Sequence, residues 1–321
     1  MSDINKILKS LKCPISKKEI FLKENKIFSG DKEYLIDDDI FRFIKIENLN
    51  VKTNQVLEFY LKDPFPNYKD FDTLEVFISK MKDNYLMQSI KDFIKPGFKV
   101  LEFGSGTCQL GNYLAATTHA EIFCADLSYN SLSLGSKFKK KYSLKGINYF
   151  ETDLFQNCFK EKTFDLIISN GVLHHTKDPK LAFKEVVKLL KDDGKILIGL
   201  YNKISRLKNT VIKILFKIFG KKIILIFDKI AKSKNGSALN SWIIDQYQHP
   251  LEKRYFFSDL FKWFNDENIE FFNSIPSTNN LNLFEKTHKP DFIDQINLQL
   301  QDLFLNSEGG LFLFTGKKIK K

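Results

Sequence analysis

The feature that most constrains this chain is a regular exchange of strand-like and helix-like segments between residues 98 and 200. KVLEF (99–103), AEIFCAD (120–126), GINYFE (146–151), FDLIIS (164–169) and GKILIGL (194–200) are short apolar runs. GNYLAAT, SLSLGSKFKKKY and DPKLAFKEVVKLL stand between them with helical patterning. A strand apolar at nearly every position must be covered on both faces, and intervening helices give that cover when the strands run parallel. Two later runs, IEFFNSI and LFLFTGK, close the set after a helix SDLFKWFNDEN that Ser258 is placed to cap. The expected fold is α/β, a doubly wound, mostly parallel seven-stranded sheet within residues 98–321.

The chemistry gathers at the strand ends. The first strand runs into Glu102-Phe103-Gly104-Ser105-Gly106-Thr107-Cys108-Gln109. Glycines directly after a strand let backbone approach a nucleotide, and the next helix presents free N–H groups there. Asp126 ends the second strand, 22 residues after Gly104, where an acid can take both ribose hydroxyls. Asp153 follows the third strand and Asn170-Gly171 the fourth. Four successive strand ends with small or polar residues mark one edge of the sheet as a ligand site. A dinucleotide fingerprint would need a small residue at 109, where Gln109 stands.

The Glu-x-Gly-x-Gly arrangement, with ADLS at 125–128, Asp153-Leu154, SNGVLHHTKDP at 169–179 and DDGKILIGL, resembles class I S-adenosylmethionine-dependent methyltransferases. The resemblance spans roughly residues 98–200 and weakens through 258–316. It implies S-adenosyl-L-methionine as cofactor. Glu102, Gly104, Ser105 and Gly106 would hold the methionine part, Asp126 the ribose, Leu127 and Leu154 the adenine surroundings, and Asp153 the adenine amino group. Asn170 would face the methionine amino group and the transferred methyl. Many members have a third glycine where this chain has Cys108.

Outside that core, residues 1–48 read as a small β-rich leader module, and LKCPISKKEI resembles a degenerate zinc-ribbon-like module beside some methyltransferases. Cys13 has no partner cysteine within it, so no metal is expected. Residues 49–97 read as a linker and helical cap. Pro64 and Pro66 forbid one continuous helix, whereas Leu74, Phe77, Ile78, Met81, Tyr85 and Ile94 fall near one helical face up to Pro96-Gly97.

The charge is unevenly distributed. The chain has 321 residues and a net charge of +11, yet residues 203–234 alone carry +9 and the last lysines +4, leaving the body at −2. Arginine is scarce (Arg42, Arg206, Arg254), which argues against a nucleic-acid reader. Within the insertion 202–255, Lys213, Lys217 and Lys221 form one helical stripe opposite Val211, Ile212, Leu215, Phe216 and Phe219. That basic amphipathic helix, within 208–232, fits a solvated lid, an acidic substrate or an anionic membrane surface.

The candidate acceptor residues are Tyr60, Tyr68, Tyr201, Tyr247 and His174 as pocket walls, with His175, Asp245 and His249 as candidate catalytic groups. The expected activity is methyl transfer to an oxygen or nitrogen, or to carbon, of a small-molecule or lipid-like acceptor. The alternatives are an RNA methyltransferase and a catalytically silent cofactor-binding partner subunit. Unpaired cysteines and the lack of an apolar leader give a cytoplasmic expectation, peripheral to the membrane if the insertion binds one.

Overall fold

Strands β5 (Lys99–Phe103), β6 (Glu121–Asp126), β7 (Ile147–Glu151), β8 (Phe164–Asn170) and β9 (Leu190–Tyr201) form where the apolar runs lie, and run parallel to one another. The computed structural model describes residues 2–44, 51–62, 68, 73–233, 236–248, 251–277, 282–305 and 310–320. Phe164, Leu166, Ile167 and Ile168 are fully buried on β8, as covering on both faces requires. Helices α5 (Gln109–Thr117), α6 (Tyr129–Tyr142) and α7 (Pro179–Leu189) connect the strands. Ser128 caps α6, accepting from the Ser131 amide at 3.3 Å. Asp178 caps α7 ahead of Pro179, accepting from the Leu181 amide at 3.1 Å. Both hydroxyl and carboxylate caps satisfy amides that the helix itself leaves open.

The sheet has eleven strands rather than seven. Across it stand four strands of the leader, then β7-β6-β5-β8-β9, then the two strands nearest the chain's end. β10 (Ile269–Ile275) and β11 (Leu311–Lys318) are the two expected closing strands, antiparallel at one edge. The other four are β1 (Phe21–Lys23), β2 (Lys26–Ser29), β3 (Lys32–Asp37) and β4 (Ile40–Arg42), an antiparallel meander from the leader. β4 pairs parallel with β7, so the leader prolongs the main sheet. Its first helix, α1 (Ser2–Leu8), adds Ile7 and Leu8 to the core on the α7 side.

Two further sequence readings need correction. The helix expected across 71–94 is two, α3 (Leu74–Lys82) and α4 (Tyr85–Phe93). Asn84 separates them, because its side chain accepts from the Met87 amide at 3.2 Å and starts a new helix. Helix α12 (Phe257–Asp266) is capped by Phe256, whose amide donates to the Asp259 carboxylate at 2.9 Å; Ser258 lies inside the helix. Before both stands α2 (Val51–Lys62), and α13 (Phe292–Leu305) precedes β11.

Between β9 and α12 the insertion folds into a cap with its own small core. Helices α8 (Leu207–Phe219), α9 (Lys222–Phe227), α10 (Lys229–Lys232) and α11 (Gly236–Ile243) lead into a π-helical turn at Ile244–Gln248. Ile212, Ile224, Ala231, Ile243 and Tyr247 are buried together. Asp228, the one acid of the basic segment, organises them. Its carboxylate accepts from Trp242 Nε1 at 2.8 Å, Tyr247 Oη at 2.9 Å and the Ala231 amide at 3.0 Å. A buried carboxylate needs such donors.

Candidate functional site

The chain runs outward from β5 through β6 to β7 in one direction, and from β8 to β9 in the other. The carboxyl ends of β5 and β8 therefore diverge, opening the crevice that such sheets use for ligands. A cavity of about 600 Å³ lies there. One half is made of strand ends: Glu102, Gly104, Ser105, Gly106, Asp126, Leu127, Asp153, Leu154 and Asn170 all line it. The other half is closed by the cap and the helices before the sheet, through Tyr201, Trp242, Gln246, Leu251, Leu86 and Met87.

The glycine loop is held by its neighbours. Gly104 and Gly106 have φ of +78° and +52°, conformations that glycine adopts without steric penalty. Asp126 clamps the loop, accepting from the Gly106 amide and the Ser128 amide, both at 2.8 Å. Cys108 also stands in the left-handed region, at φ +62°, and is fully buried. Here the third glycine of the family pattern is replaced by a residue that takes the glycine conformation, at a cost of about 1 kcal/mol. The close-packing role that Gln109 cannot fill falls to Gly111. A side chain there would overlap the Cys124 sulfur on β6.

Solvent exclusion sets the electrostatics. Burial pushes the Glu102 carboxyl up to about 8, against the hydrogen bond it accepts from the Gly111 amide at 3.0 Å. Burial likewise raises Asp126, opposed by the amides of Ser128 and Gly106. Asp153 is raised by burial and lowered by the amides of Phe155 and Gln156 and by the charge of Lys177. His175 is pulled down to about 4 by burial. Its Nδ1 lies 2.5 Å from the Leu251 carbonyl oxygen. A carbonyl can only accept, so the ring proton sits on Nδ1 and Nε2 is the basic atom.

The expected acceptor residues divide. Tyr201 and His175 line the cavity. Tyr68 does not: its hydroxyl donates to the Thr107 carbonyl at 2.7 Å, its ring stacks on Phe138, and it braces the glycine loop from behind. Tyr247 is consumed by the cap core through Asp228. His174 is fully buried beneath the cavity wall, its ring 4.0 Å from that of Tyr201. His249 and the side chains of Tyr60 and Asp245 lie outside the described residues. Sequence reasoning missed Trp242 and Lys177 as lining groups. The first lies three residues before the candidate Asp245, and the second in the loop after the fourth strand.

Arg206 explains the shape of the acceptor half. It is fully buried, donates to Gln246 Oε1 at 2.5 Å and to Glu252 Oε2 at 2.9 Å, and lies 3.8 Å over the Tyr201 ring. Gln246 Nε2 in turn donates to Tyr201 Oη at 2.9 Å. The polar cap residues are thus fixed by a desolvated ion pair rather than left to solvent.

A family model of a methyltransferase domain matches residues 101–198, the stretch that builds the strand-end half of this cavity. Residues 101–198 are an S-adenosylmethionine-dependent methyltransferase domain. S-adenosylmethionine is the cofactor of that domain. Phosphoethanolamine N-methyltransferase 2 of Caenorhabditis elegans is 29% identical over 129 residues, 40% of this chain and 30% of that one. An uncharacterized protein of Methanocaldococcus jannaschii is 30% identical over 171 residues, 52% of this chain and 69% of that one. This methyltransferase spans 24% to 30% of the length of three phosphoethanolamine N-methyltransferases that it matches. The solved structure of PKMT2 from Rickettsia typhi shares the fold, with a TM-score of 0.51 at 13% identity over 74% of this chain and 52% of that one. The cavity fits the cofactor on the donor chemistry present: positive-φ glycines for close backbone approach, and carboxylates at the ends of β5 and β6 and just beyond β7.

Proposed function

We propose that this methyltransferase acts on the nitrogen of a small amine that also bears an anionic group. The single observation that carries the reading is that one cavity joins the strand-end half to an acceptor half, with Lys177 as the one Lys or Arg among its described lining residues. Its ammonium lies 4.8 Å from the Phe155 ring centre. Among the described residues Asp153 feels its charge, but no carboxylate forms a salt bridge with it. An anionic substituent would supply a counter-charge at contact distance. The phosphoethanolamine N-methyltransferases among the relatives are consistent with this, over the part of their length that matches.

When bound, S-adenosylmethionine supplies a methyl group on an already activated sulfonium. The work left to the chain is alignment. Glu102 and the Gly104–Gly106 loop would hold the methionine part, Asp126 the ribose hydroxyls, and Asp153 with Leu127 and Leu154 the adenine, while Asn170 borders the reacting end. The His175 ring, which lines the cavity and is neutral at physiological pH, would border the amine, whose own lone pair attacks the methyl in its unprotonated form. Trp242 and Leu251 exclude water from that line.

The test is turnover with a panel of small amines, with and without a phosphate or carboxylate, followed by release of S-adenosylhomocysteine. Amines bearing an anion should be turned over preferentially. Lys177→Gln should raise KM about tenfold for them and leave neutral amines unaffected, as loss of one charge-assisted contact predicts. Equal KM values for the variant and the wild type on the anionic amines would sink the reading.

A further inference from the structure

The cap carries a surface that methyl transfer does not use. Helix α8 is apolar on two opposite sides. Asn209, Ile212 and Phe216 turn inward, with Ile212 and Phe216 packed in the cap core. At 3.6 residues per turn the opposite side is Leu207, Val211, Ile214 and Ile218, spaced i, i+4, i+7, i+11. All four are 54–67% exposed. Val211 and Phe219 are exposed while Ile212 is buried, so the apolar residues expected on one face opposite the lysine stripe are split between two. Phe219 and then Leu225, Ile226 and Phe227 on α9 continue the exposed apolar surface. Eight large apolar side chains exposed within 21 residues exceed the scattered exposure normal for a protein surface.

The edges of this surface are cationic. Lys213 and Lys217 flank one side of the α8 stripe and Lys208 the other, and Lys221 and Lys222 open α9. Among the described residues, Lys208, Lys213, Lys217 and Lys222 have no carboxylate within 4 Å, and Lys221 bonds only the Asn240 side-chain oxygen, at 3.3 Å. Among the described residues, no helix is long and apolar enough to cross a membrane. Short helices with an outward apolar stripe and lysines at its margins match a surface that lies in the headgroup region. There the apolar side chains enter the acyl boundary and the lysines meet lipid anions.

We propose that the outer face of α8 and α9 is a docking surface for an anionic lipid bilayer. Charge complementarity selects this occupant: a protein partner would have to match Lys208, Lys213, Lys217, Lys221 and Lys222 with an acidic face of the same shape, whereas an anionic leaflet matches them everywhere along the stripe. The same cap supplies Trp242 and Gln246 to the cavity wall, so docking would bring the acceptor half of the cavity close to the lipid surface. The inference is independent of which acceptor is methylated, because binding is read without turnover.

The experiment is flotation of the full chain with vesicles of phosphatidylcholine alone or with phosphatidylglycerol added, at low and high salt. The wild type should bind the anionic vesicles at least tenfold more tightly than the neutral ones. Ile214→Gln with Ile218→Gln should weaken anionic binding at least tenfold. Lys213→Gln with Lys217→Gln should weaken it roughly tenfold to thirtyfold and flatten its salt dependence. All four side chains sit outside the cap core, and unchanged circular dichroism and cofactor affinity would show that the variants fold. Equal binding to both vesicle types, or an isoleucine double variant that binds like wild type, overturns the proposal. So does a stable dimer in light scattering that the isoleucine variant dissociates while neither form binds vesicles, since the surface then belongs to a second copy of the chain. RNA affinity that the lysine variant loses, in a protein indifferent to vesicles, overturns it likewise.

Discussion

Glu102 stands at the end of β5 with its carboxyl lifted to about 8 by burial, so in the cofactor-free protein it carries a proton at neutral pH. Any donor group of S-adenosylmethionine that it accepts from favours the ionised form, so binding must remove that proton. The sign follows: affinity rises with pH while the solution is below the Glu102 value, by up to about tenfold per pH unit, and levels off above about 8. Calorimetric titration between pH 6 and 8.5 should show this rise, and Glu102→Gln should abolish it while lowering affinity at the alkaline end. A variant that keeps the wild-type pH profile would remove Glu102 from the cofactor site. This residue was legible in the sequence because its strand, its spacing to the glycines and its charge all pointed to one edge. Tyr68 was not, because an aromatic that reaches a site can either line it or brace it from behind. Only the bonds to Thr107 and Asn112 reveal which.

At the scale of elements, α5 is pressed against β6 at Gly111, whose missing side chain admits the Cys124 sulfur. Gly111→Ala would gain about 1 kcal/mol of helix propensity but lose about 1–3 kcal/mol to overpacking. The net expectation is a destabilised protein by urea unfolding. Adding Cys124→Ala should recover most of the loss, because it empties the space the new methyl needs. If Gly111→Ala alone is as stable as wild type, the contact has no energetic weight. The seven strands from β5 onward could be read from the chain because each is a continuous apolar run that stops at a small or polar residue. The break at Asn84 was not legible, since a periodic apolar face continues across it, and one side chain bonding the Met87 amide decides the matter. The doubled apolar surface of α8 escaped for a related reason: periodicity counts apolar residues on a helix but not how many faces find a partner.

At the scale of the whole molecule, the leader matters most, because the sequence presented it as a separate module and the sheet incorporates it. Nothing local in IFR signals that β4 will pair with β7, 109 residues away at the Arg42–Glu151 contact. That contact joins the two parts chemically. Arg42 Nε donates to Glu151 Oε2 at 2.7 Å and its guanidinium lies 4.2 Å over the Tyr129 ring, while the Phe43 amide donates to the Glu151 carbonyl at 2.8 Å. Glu151 is nearly buried, and burial raises its carboxyl against the lowering effect of Arg42. Phe41 stacks on Phe150 with ring centres 5.1 Å apart, and Leu11 bridges to Phe159. Removing residues 1–44 would therefore bare the β7 edge, strip one face of the core and strand a buried carboxylate. We expect the shortened chain to aggregate or to melt at least about 10 °C lower, since several kcal/mol are lost from a protein this size. Arg42→Leu gives a gentler version. It leaves Glu151 buried without its partner, at a cost of about 1–3 kcal/mol in urea unfolding, and Glu151→Gln added to it should return part of that loss because the unpaired charge is gone. A chain lacking 1–44 that melts with the full-length protein and keeps its cofactor affinity would show the leader to be separable. In that case the β4–β7 pairing would contribute nothing to the stability of the sheet that holds Asp126 and Asp153 in place.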